Sequence, residues 1–103
     1  MSLIRIDDIQ MAYTDTGVGR PIVLLHGYPF NRTLWNEQVA ALSASYRIIV
    51  PDLRGSGESE ASPGPATMNR MAQDVAQLLD HLKIQRAVVG GLSMGGYVAL
   101  AFY

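Results

Sequence analysis

The chain has 103 residues, of which 49% are hydrophobic and 17% are charged, and its formal net charge at pH 7 is −1. This length suits a single domain, residues 1–103, and the nearly neutral balance gives no reason to expect nucleic acid or an anionic membrane as a partner. The sequence contains no cysteine, so disulfides, thiolate chemistry and cysteine-bound metals are excluded.

The N-terminal third predicts three strands and one helix. "SLIRIDD" and "IQMAYTD" read as two short strands joined by a tight turn. "PIVLLHG" is a continuous apolar run, which predicts a strand buried on both faces. Apolar residues at helical spacing then predict a helix over residues 34–44. Two polar residues can cap that helix, Asn31 and Thr33.

The rest of the chain continues the alternation. "YRIIVPDLRG" predicts a second buried strand that breaks into a loop rich in glycine and serine. Thr67 can cap a helix over residues 68–82, whose apolar side chains share one face. Its polar residues are expected largely away from that face: Arg70, Gln73, Asp74, Gln77 and Asp80. "RAVVGG" predicts a third buried strand, followed by an apolar helix that begins near Gly95. Such alternation indicates an α/β fold with a mostly parallel sheet.

Residues 87–103 carry no charge, which raises the alternative of a membrane span. Four glycines and a serine interrupt this stretch, and it is shorter than the roughly 20 residues that a spanning helix needs. Near the N-terminus, Asp7 and Asp8 interrupt the apolar stretch that a signal peptide requires. The sequence therefore predicts a cytoplasmic protein with no membrane partner.

Three glycine-bearing loops follow the three buried strands: "HGYP", "DLRGSGES" and "GLSMGG". In open α/β sheets, ligands bind at the carboxyl ends of the strands. None of the loops has the glycine spacing of a dinucleotide fingerprint. Gly91 and Gly96 have the spacing of a phosphate-binding loop, but Tyr97 stands where that motif needs lysine. Nucleotide binding is therefore disfavoured, and we expect no cofactor and no metal.

Residues 91–95 fit the pattern G-x-S-x-G, with a strand before and a helix after. Such a turn holds its central residue, Ser93, in a strained conformation that exposes the hydroxyl above the sheet. Side chains at Gly91 and Gly95 would collide across the turn, and Gly96 lets the next helix close onto the strand. The alternative is an ordinary glycine-rich connection with an incidental serine. The three loops together favour a nucleophilic serine.

With these motifs, the chain resembles the N-terminal half of the α/β-hydrolase superfamily. "LLHGYP", "VPDLRGSGES" and "GLSMGGYVAL" stand in that family's order and spacing. The resemblance implies a sheet of about five strands with flanking helices, truncated after the nucleophile elbow. Within the family, the sequence is similar to small serine carboxylesterases, enol-lactonases and cofactor-free perhydrolases of the haloperoxidase type. Serine at position 93 argues against epoxide hydrolases and haloalkane dehalogenases, which place aspartate there.

The resemblance also implies roles for single residues. Ser93 would be the nucleophile, and the backbone N–H groups of Tyr28 and Met94 would form the oxyanion hole. His26 and Gly27 would shape the loop that carries Tyr28. Four further residues look like loop-shaping residues of the family, Asp52, Arg54, Gly55 and Gly57. Ser56 stands where many relatives have histidine.

The acid and the histidine of a catalytic triad are missing. In this family they follow the nucleophile, but the ten residues after Ser93 include no acidic or basic residue. His26 lies at the right end of the sheet to act as a base, although a structural role fits the family better. His81 is expected on the surface near a helix C-terminus, far from Ser93. Because a serine hydroxyl needs a base, the chain alone is predicted to turn over weakly or not at all.

Two functions therefore remain open. The chain is either the first part of a serine hydrolase for small esters or lactones, or a non-catalytic folded fragment that serves as an association module. A non-catalytic relative that keeps the fold to bind a ligand is a weaker third option. Since truncation would leave the Ser93 strand as an unpaired edge, we expect a homo-oligomer or a complementing C-terminal fragment. Apolar residues of the last helix are expected to be exposed: Val98, Leu100 and Phe102.

Overall fold

A computed structural model describes residues 1–103 as one five-stranded sheet with helices on both faces. The strands are β1 (Ser2–Ile6), β2 (Ile9–Thr16), β3 (Arg20–Leu25), β4 (Tyr46–Pro51) and β5 (Val88–Gly91). The helices are α1 (Asn36–Leu42), which follows a 3₁₀ turn (Arg32–Trp35), α2 (Met68–His81) and α3 (Met94–Phe102). The strand order is β1-β2-β4-β3-β5.

The strand directions confirm a mostly parallel sheet. β3 is parallel to both β4 and β5, whereas β2 is antiparallel to both of its neighbours, β1 and β4. Four of the five strands therefore run in one direction, and only β2 runs against them. In β3, Ile22 lies opposite Ile48 of β4 on one side and Val88 of β5 on the other. The same register places Leu25 beside Gly91.

Apolar cores fill both faces of the sheet. Along β3, Val23 and Leu25 belong to a large cluster that also contains the buried residues of α2 and α3. Leu24 points to the other face, where it packs with Ile48 and Val50 against residues of α1 and the 3₁₀ turn. This alternation follows from the two-residue period of a strand. The prediction that β3 is buried on both faces is confirmed.

Helix α2 forms as predicted, with one difference. The hydroxyl of Thr67 caps it by accepting a 3.0 Å hydrogen bond from the N–H of Arg70. Met71, Val75 and Leu78 are fully buried, and burial of each such side chain contributes about 1.5–3 kcal/mol to stability. The expectation that Asp74 lies away from the apolar face was wrong. Its carboxylate is fully buried, because it pairs with an arginine from another segment.

The helix expected over residues 34–44 is shorter and has a different start. Asn31 caps the 3₁₀ turn rather than α1, since its side-chain oxygen accepts a 3.0 Å hydrogen bond from the N–H of Thr33. Thr33 therefore does not act as a cap, and α1 begins at Asn36 without a side-chain cap. The apolar period continues unbroken through both pieces, so it does not distinguish a 3₁₀ turn from an α-helix.

β5 lies at the edge of the sheet and pairs only with β3. Val88 is 67% exposed, so the prediction of a buried third strand was wrong, whereas the predicted open edge is present. In α3, Leu100 is 74% exposed as expected and Phe102 is half-buried. The expectation that Val98 is exposed was wrong, because this residue packs in the large core. None of the helices has both the length and the apolar character needed to cross a bilayer.

The helices that follow β3 and β5 lie on opposite faces of the sheet. Val39 of α1 packs on the small core, and Val98 of α3 packs in the large one. The chain therefore leaves the carboxyl ends of two adjacent parallel strands, β3 and β5, toward opposite faces of the sheet. Open α/β sheets bind ligands at such a point. The loop after β3 and the corner after β5 meet there.

Candidate active site

Ser93 occupies the corner between β5 and α3. Its backbone has φ 56° and ψ −114°, a conformation that costs a non-glycine residue about 1–3 kcal/mol. The corner is closed by a 3.0 Å hydrogen bond from the N–H of Gly95 to the carbonyl of Leu92. Ser93 is exposed to solvent. The strained residue is therefore also an exposed one.

The neighbouring glycines are required by close backbone approach. A Cβ at Gly91 would lie 2.2 Å from the carbonyl carbon of Gly95. A Cβ at Gly95 would lie 2.2 Å from the carbonyl oxygen of Leu25, at the end of β3. At Gly96 the nearest atom would be the carbonyl oxygen of Gly91 at 3.4 Å, a tight but tolerable contact. The corner thus packs directly on the carboxyl end of β3.

The loop after β3 lies against this corner. A Cβ at Gly27 would approach the carbonyl oxygen of Leu92 to 2.9 Å and the Cβ of Ser93 to 3.3 Å. The next residue, Tyr28, makes no backbone hydrogen bond through its N–H. Met94 is the first residue of α3, so its N–H has no acceptor within the helix. The N–H groups of Tyr28 and Met94 are therefore free backbone donors, and these two residues directly follow Gly27 and Ser93, which are in contact.

His26 is fully buried, and both of its ring nitrogens are engaged. Nε2 accepts a 2.9 Å hydrogen bond from the N–H of Leu53. Nδ1 lies 3.0 Å from the carbonyl oxygen of Gly27, and because a carbonyl can only accept, Nδ1 carries the hydrogen. This pattern is that of a neutral imidazole tying two loops together. It supports the structural role of His26 and leaves no free nitrogen for a base.

Asp52 organises the loop after β4. Its fully buried carboxylate accepts hydrogen bonds from the backbone N–H of Arg32 at 2.6 Å, from the Arg32 guanidinium, and from the N–H of Glu58 at 2.9 Å. Gly57 has φ +53°, and a Cβ there would meet the carboxyl carbon of Asp52 at 2.4 Å. The loop therefore closes directly over the carboxylate, as loop-shaping roles for Asp52 and Gly57 require.

Arg32 is a residue of this region that the sequence does not point to. Its guanidinium binds Asp52 and lies 3.1 Å from Glu58, and its side chain is 13% exposed. Burial opposes ionisation of this group, but hydrogen bonds to Glu58 and Asp52 outweigh it and raise the pKa of Arg32. The pairing joins residues 20 positions apart, so no local motif signals it.

Arg54 joins the same loop to α2 and to the β1–β2 turn. Its guanidinium makes two 2.8 Å hydrogen bonds to the buried carboxylate of Asp74, and one of 2.9 Å to Asp8. The hydrogen bonds to Asp74 raise the pKa of Arg54 above its usual range. In turn, the Arg54 hydrogen bond lowers the pKa of Asp8.

Two other residues of the loop shape its backbone. Gly55 has φ +80°, and the carbonyl of Ser56 accepts a 3.0 Å hydrogen bond from the N–H of Ser59.

The structure brings no acid or histidine to Ser93. His81 is exposed at the C-terminal end of α2, where it shares a shallow cleft with Arg5 and Asp80. The three clefts on the surface are lined by other residues, and none includes Ser93, Tyr28 or Met94. The corner therefore presents a hydroxyl and backbone donors on an open surface, without a base and without walls that enclose a substrate.

Comparison with known proteins gives the same architecture. A family profile described as "alpha/beta hydrolase fold" matches residues 20–103. A thermophilic esterase from Thermogutta terrifontis is 55% identical, with a TM-score of 0.89 over 91% of this chain and 35% of that one. The enol-lactonase from Burkholderia xenovorans LB400 is 38% identical, with a TM-score of 0.90 over 94% and 39% of the two chains.

A soluble epoxide hydrolase of Corynebacterium sp. (strain C12) is also similar, at 39% identity over 94% of this chain and 34% of the relative. The chain spans about a third of the length of these relatives. This confirms that it corresponds to only part of the fold they share. The profile match covers most of the chain, and the strained serine corner lies within it. The chain belongs to the α/β-hydrolase family.

Proposed function

We propose that this chain carries the nucleophile and oxyanion hole of a serine hydrolase that acts on small esters or lactones. The observation that supports the proposal most directly is the Ser93 corner, where a strained backbone carries an exposed serine between β5 and α3. Backbone strain at an exposed polar residue is typical of functional sites. The esterase and the enol-lactonase among the similar structures agree with an ester-type substrate.

In the proposed reaction, the Oγ of Ser93 attacks the substrate's carbonyl carbon and loses its proton to a base. The carbonyl oxygen becomes negative and accepts hydrogen bonds from the N–H groups of Tyr28 and Met94. Collapse of the tetrahedral intermediate expels the alcohol and leaves an acyl-Ser93 ester, which water then hydrolyses. Such an oxyanion hole is commonly worth about 10²–10³ in rate for each donor.

Ester hydrolysis fits Ser93 better than epoxide opening, although an epoxide hydrolase is among the similar proteins. A serine oxygen that attacked an epoxide carbon would form an ether, which water does not readily cleave, so the enzyme would not turn over. A serine oxygen that attacks a carbonyl forms an ester, which water can hydrolyse. The nucleophile's chemistry therefore separates the two substrate classes.

The chain contains two histidines, and neither is placed to activate Ser93. We therefore expect slow chemistry from the chain alone. Oxyanion stabilisation and substrate binding without a working triad still give about 10³–10⁴-fold catalysis over water. The whole protein's substrate is proposed only as a class, a small ester or lactone.

A fluorophosphonate probe tests this proposal on the isolated chain. Mass spectrometry of peptides should locate slow modification at Ser93, with weak turnover of p-nitrophenyl acetate. Ser93→Ala should abolish both signals, whereas Ser56→Ala, which removes a half-buried serine in the loop after β4, should leave them unchanged. No modification of Ser93, or equal loss in both variants, would overturn the proposal. Rapid modification would show that a base acts within this chain.

A second candidate function, association, is favoured by the open edge of β5. The backbone N–H and C=O groups on the outer side of β5 pair with no other strand of the sheet. Three apolar side chains in and after this strand are exposed: Val88, Leu92 and Leu100. Exposed apolar strand edges pair readily with other strands. We propose that, in solutions of this chain alone, β5 pairs with a second copy.

Light scattering at micromolar concentration tests this association. A dimer or larger species is expected for the chain, and Val88→Lys should shift it toward monomer because a charge on an edge strand opposes pairing. Val18→Lys is the matched control, since Val18 is 88% exposed but lies in the β2–β3 loop. A stable monomer, or equal effects of the two lysines, would contradict the proposal.

A further inference from the structure

The segment between β3 and the 3₁₀ turn carries Tyr28, whose N–H is one of the two proposed oxyanion donors. Only one internal backbone hydrogen bond closes this segment, from the N–H of Phe30 to the carbonyl of Gly27 at 2.9 Å. Tyr28 is 76% exposed and Phe30 is 53% exposed, so packing does not hold the segment. Its position must be fixed at its two ends.

The N-terminal end is fixed by His26. Through its ring, this residue joins the carbonyl of Gly27 to the N–H of Leu53. Leu53 is fully buried and is the second residue after β4, in the loop that Asp52 begins. The peptide just before Tyr28 is therefore tied to the carboxyl end of β4.

The C-terminal end is fixed by Asp52, the residue next to Leu53. Its carboxylate binds both the backbone N–H and the guanidinium of Arg32. Asp52 is itself held in place, because its N–H donates a 2.8 Å hydrogen bond to the carbonyl of Ala12 in β2. Two consecutive residues of the β4 loop thus hold both ends of the segment that carries Tyr28.

We infer that Asp52 and Arg32 are positioning residues for the oxyanion hole: their buried ion pair sets where the Tyr28 N–H points relative to Ser93. This inference rests on the proposed function. It assigns a function to the buried carboxylate of Asp52 and the nearly buried guanidinium of Arg32, which take no part in the chemistry at Ser93. Burial of both charges strengthens their attraction and makes the geometry of the pair well defined.

The consequence concerns rate rather than substrate affinity. An oxyanion donor acts on charge that develops in the transition state, and a displacement of about 1 Å can reduce the rate about 100-fold. Removing the Arg32 guanidinium should release the C-terminal end of the segment that carries Tyr28, so that the segment is held firmly only at His26 and the Tyr28 N–H can shift. Met94 should not move, because α3 holds it. Only one of the two donors should therefore be lost.

The experiment uses the ¹⁵N-labelled chain after prolonged reaction with a fluorophosphonate, until mass spectrometry shows that Ser93 is fully modified. The phosphonyl oxygen then occupies the proposed oxyanion hole, so the amide protons of Tyr28 and Met94 should both shift downfield. In Arg32→Leu, the Tyr28 shift should be lost and the Met94 shift retained, and modification should be about 10- to 100-fold slower. Arg32→Lys, which keeps a charge for Asp52, should restore part of the Tyr28 shift.

Arg47→Leu is the matched control. Arg47 forms an ion pair with Asp15 at the amino end of β4, the end opposite to Asp52. It should leave both amide shifts and the rate unchanged. If Arg32→Leu also keeps both shifts and the wild-type rate, the positioning inference is wrong. If the wild-type chain is modified but neither amide shifts, the proposed oxyanion hole is wrong instead.

If Ser93 is never modified, the proposed function fails, and hydrogen exchange of the unmodified chain decides the remaining question. Faster exchange of residues 28–32 in Arg32→Leu than in Arg47→Leu would retain the two-ended attachment of this segment. Equal exchange in the two variants would remove it. Circular dichroism of each variant checks that the comparison is made between folded chains.

Discussion

A Cβ atom on Gly91 would lie 2.2 Å from the carbonyl carbon of Gly95, a distance that two unbonded carbons cannot reach. The last residue of β5 and the second residue of α3 therefore touch through their backbones. This contact turns the chain sharply enough to leave Ser93 at its outer point, with φ 56°. The exposure and the strain of Ser93 follow from the same contact.

Gly95→Ala should destabilise the chain by about 2–4 kcal/mol, because its Cβ would collide with the backbone of Leu25 and His26. Urea denaturation followed by circular dichroism measures the change. Gly90→Ala is the control, since its Cβ would meet only a side-chain carbon of Leu24 at 3.7 Å. A change within about 0.5 kcal/mol is expected there. Similar losses in both variants would contradict the packing described here.

Ser93→Gly should stabilise the chain by about 1 kcal/mol while abolishing reaction with a phosphonate probe. Glycine adopts the conformation of residue 93 without the strain, and this gain exceeds the added entropy of the unfolded chain. Ser93→Ala keeps the strain, so its unfolding free energy should stay near that of the wild type. Thermal unfolding of the three chains separates the outcomes. If glycine and alanine behave alike, the corner is not strained.

Arg54→Met should cost about 3–5 kcal/mol, because it removes both hydrogen bonds to the fully buried carboxylate of Asp74 and leaves only Arg70, 3.9 Å away, as a charged neighbour. Arg47→Met removes a similar bidentate pair with Asp15, but both side chains there are about a quarter exposed. That variant should lose only about 0–1 kcal/mol. Equal losses in the two variants would mean that burial does not set the strength of these pairs.

The stability that Asp8 contributes to the folded chain should be lost in acid. Its pKa is lowered by the hydrogen bond from Arg54, so its charged form is favoured in the folded state. The resulting stability is present above the unfolded pKa of about 3.9 and is lost as the pH falls through the lower, folded pKa. The difference in urea midpoint between the wild type and Asp8→Asn should therefore shrink between pH 6 and pH 3. Glu37→Gln, which removes a carboxylate without an ion pair, controls for net charge.

Much of the fold follows from short-range patterns. The apolar runs of β3 and β4, the Thr67 cap and the spacing of apolar residues in α2 each depend on local geometry, which a sequence displays directly. The strand–turn–helix context of Ser93 is equally local. The errors lie where a long-range partner decides the outcome. Asp74 looks like a surface residue in its helix, and only Arg54, 20 positions away, explains its burial.

By itself, the sequence determined the order of strands and helices along the chain, the family, and the strand-to-helix corner at Ser93, because periodicity and glycine spacing are encoded in neighbouring residues. Only the tertiary structure decided that β5 lies at an edge, that both nitrogens of His26 are engaged, and that Asp52 and Arg32 hold the segment with Tyr28. These features depend on which segments meet across the carboxyl edge of the sheet, and residues distant in sequence meet there only after the chain has folded.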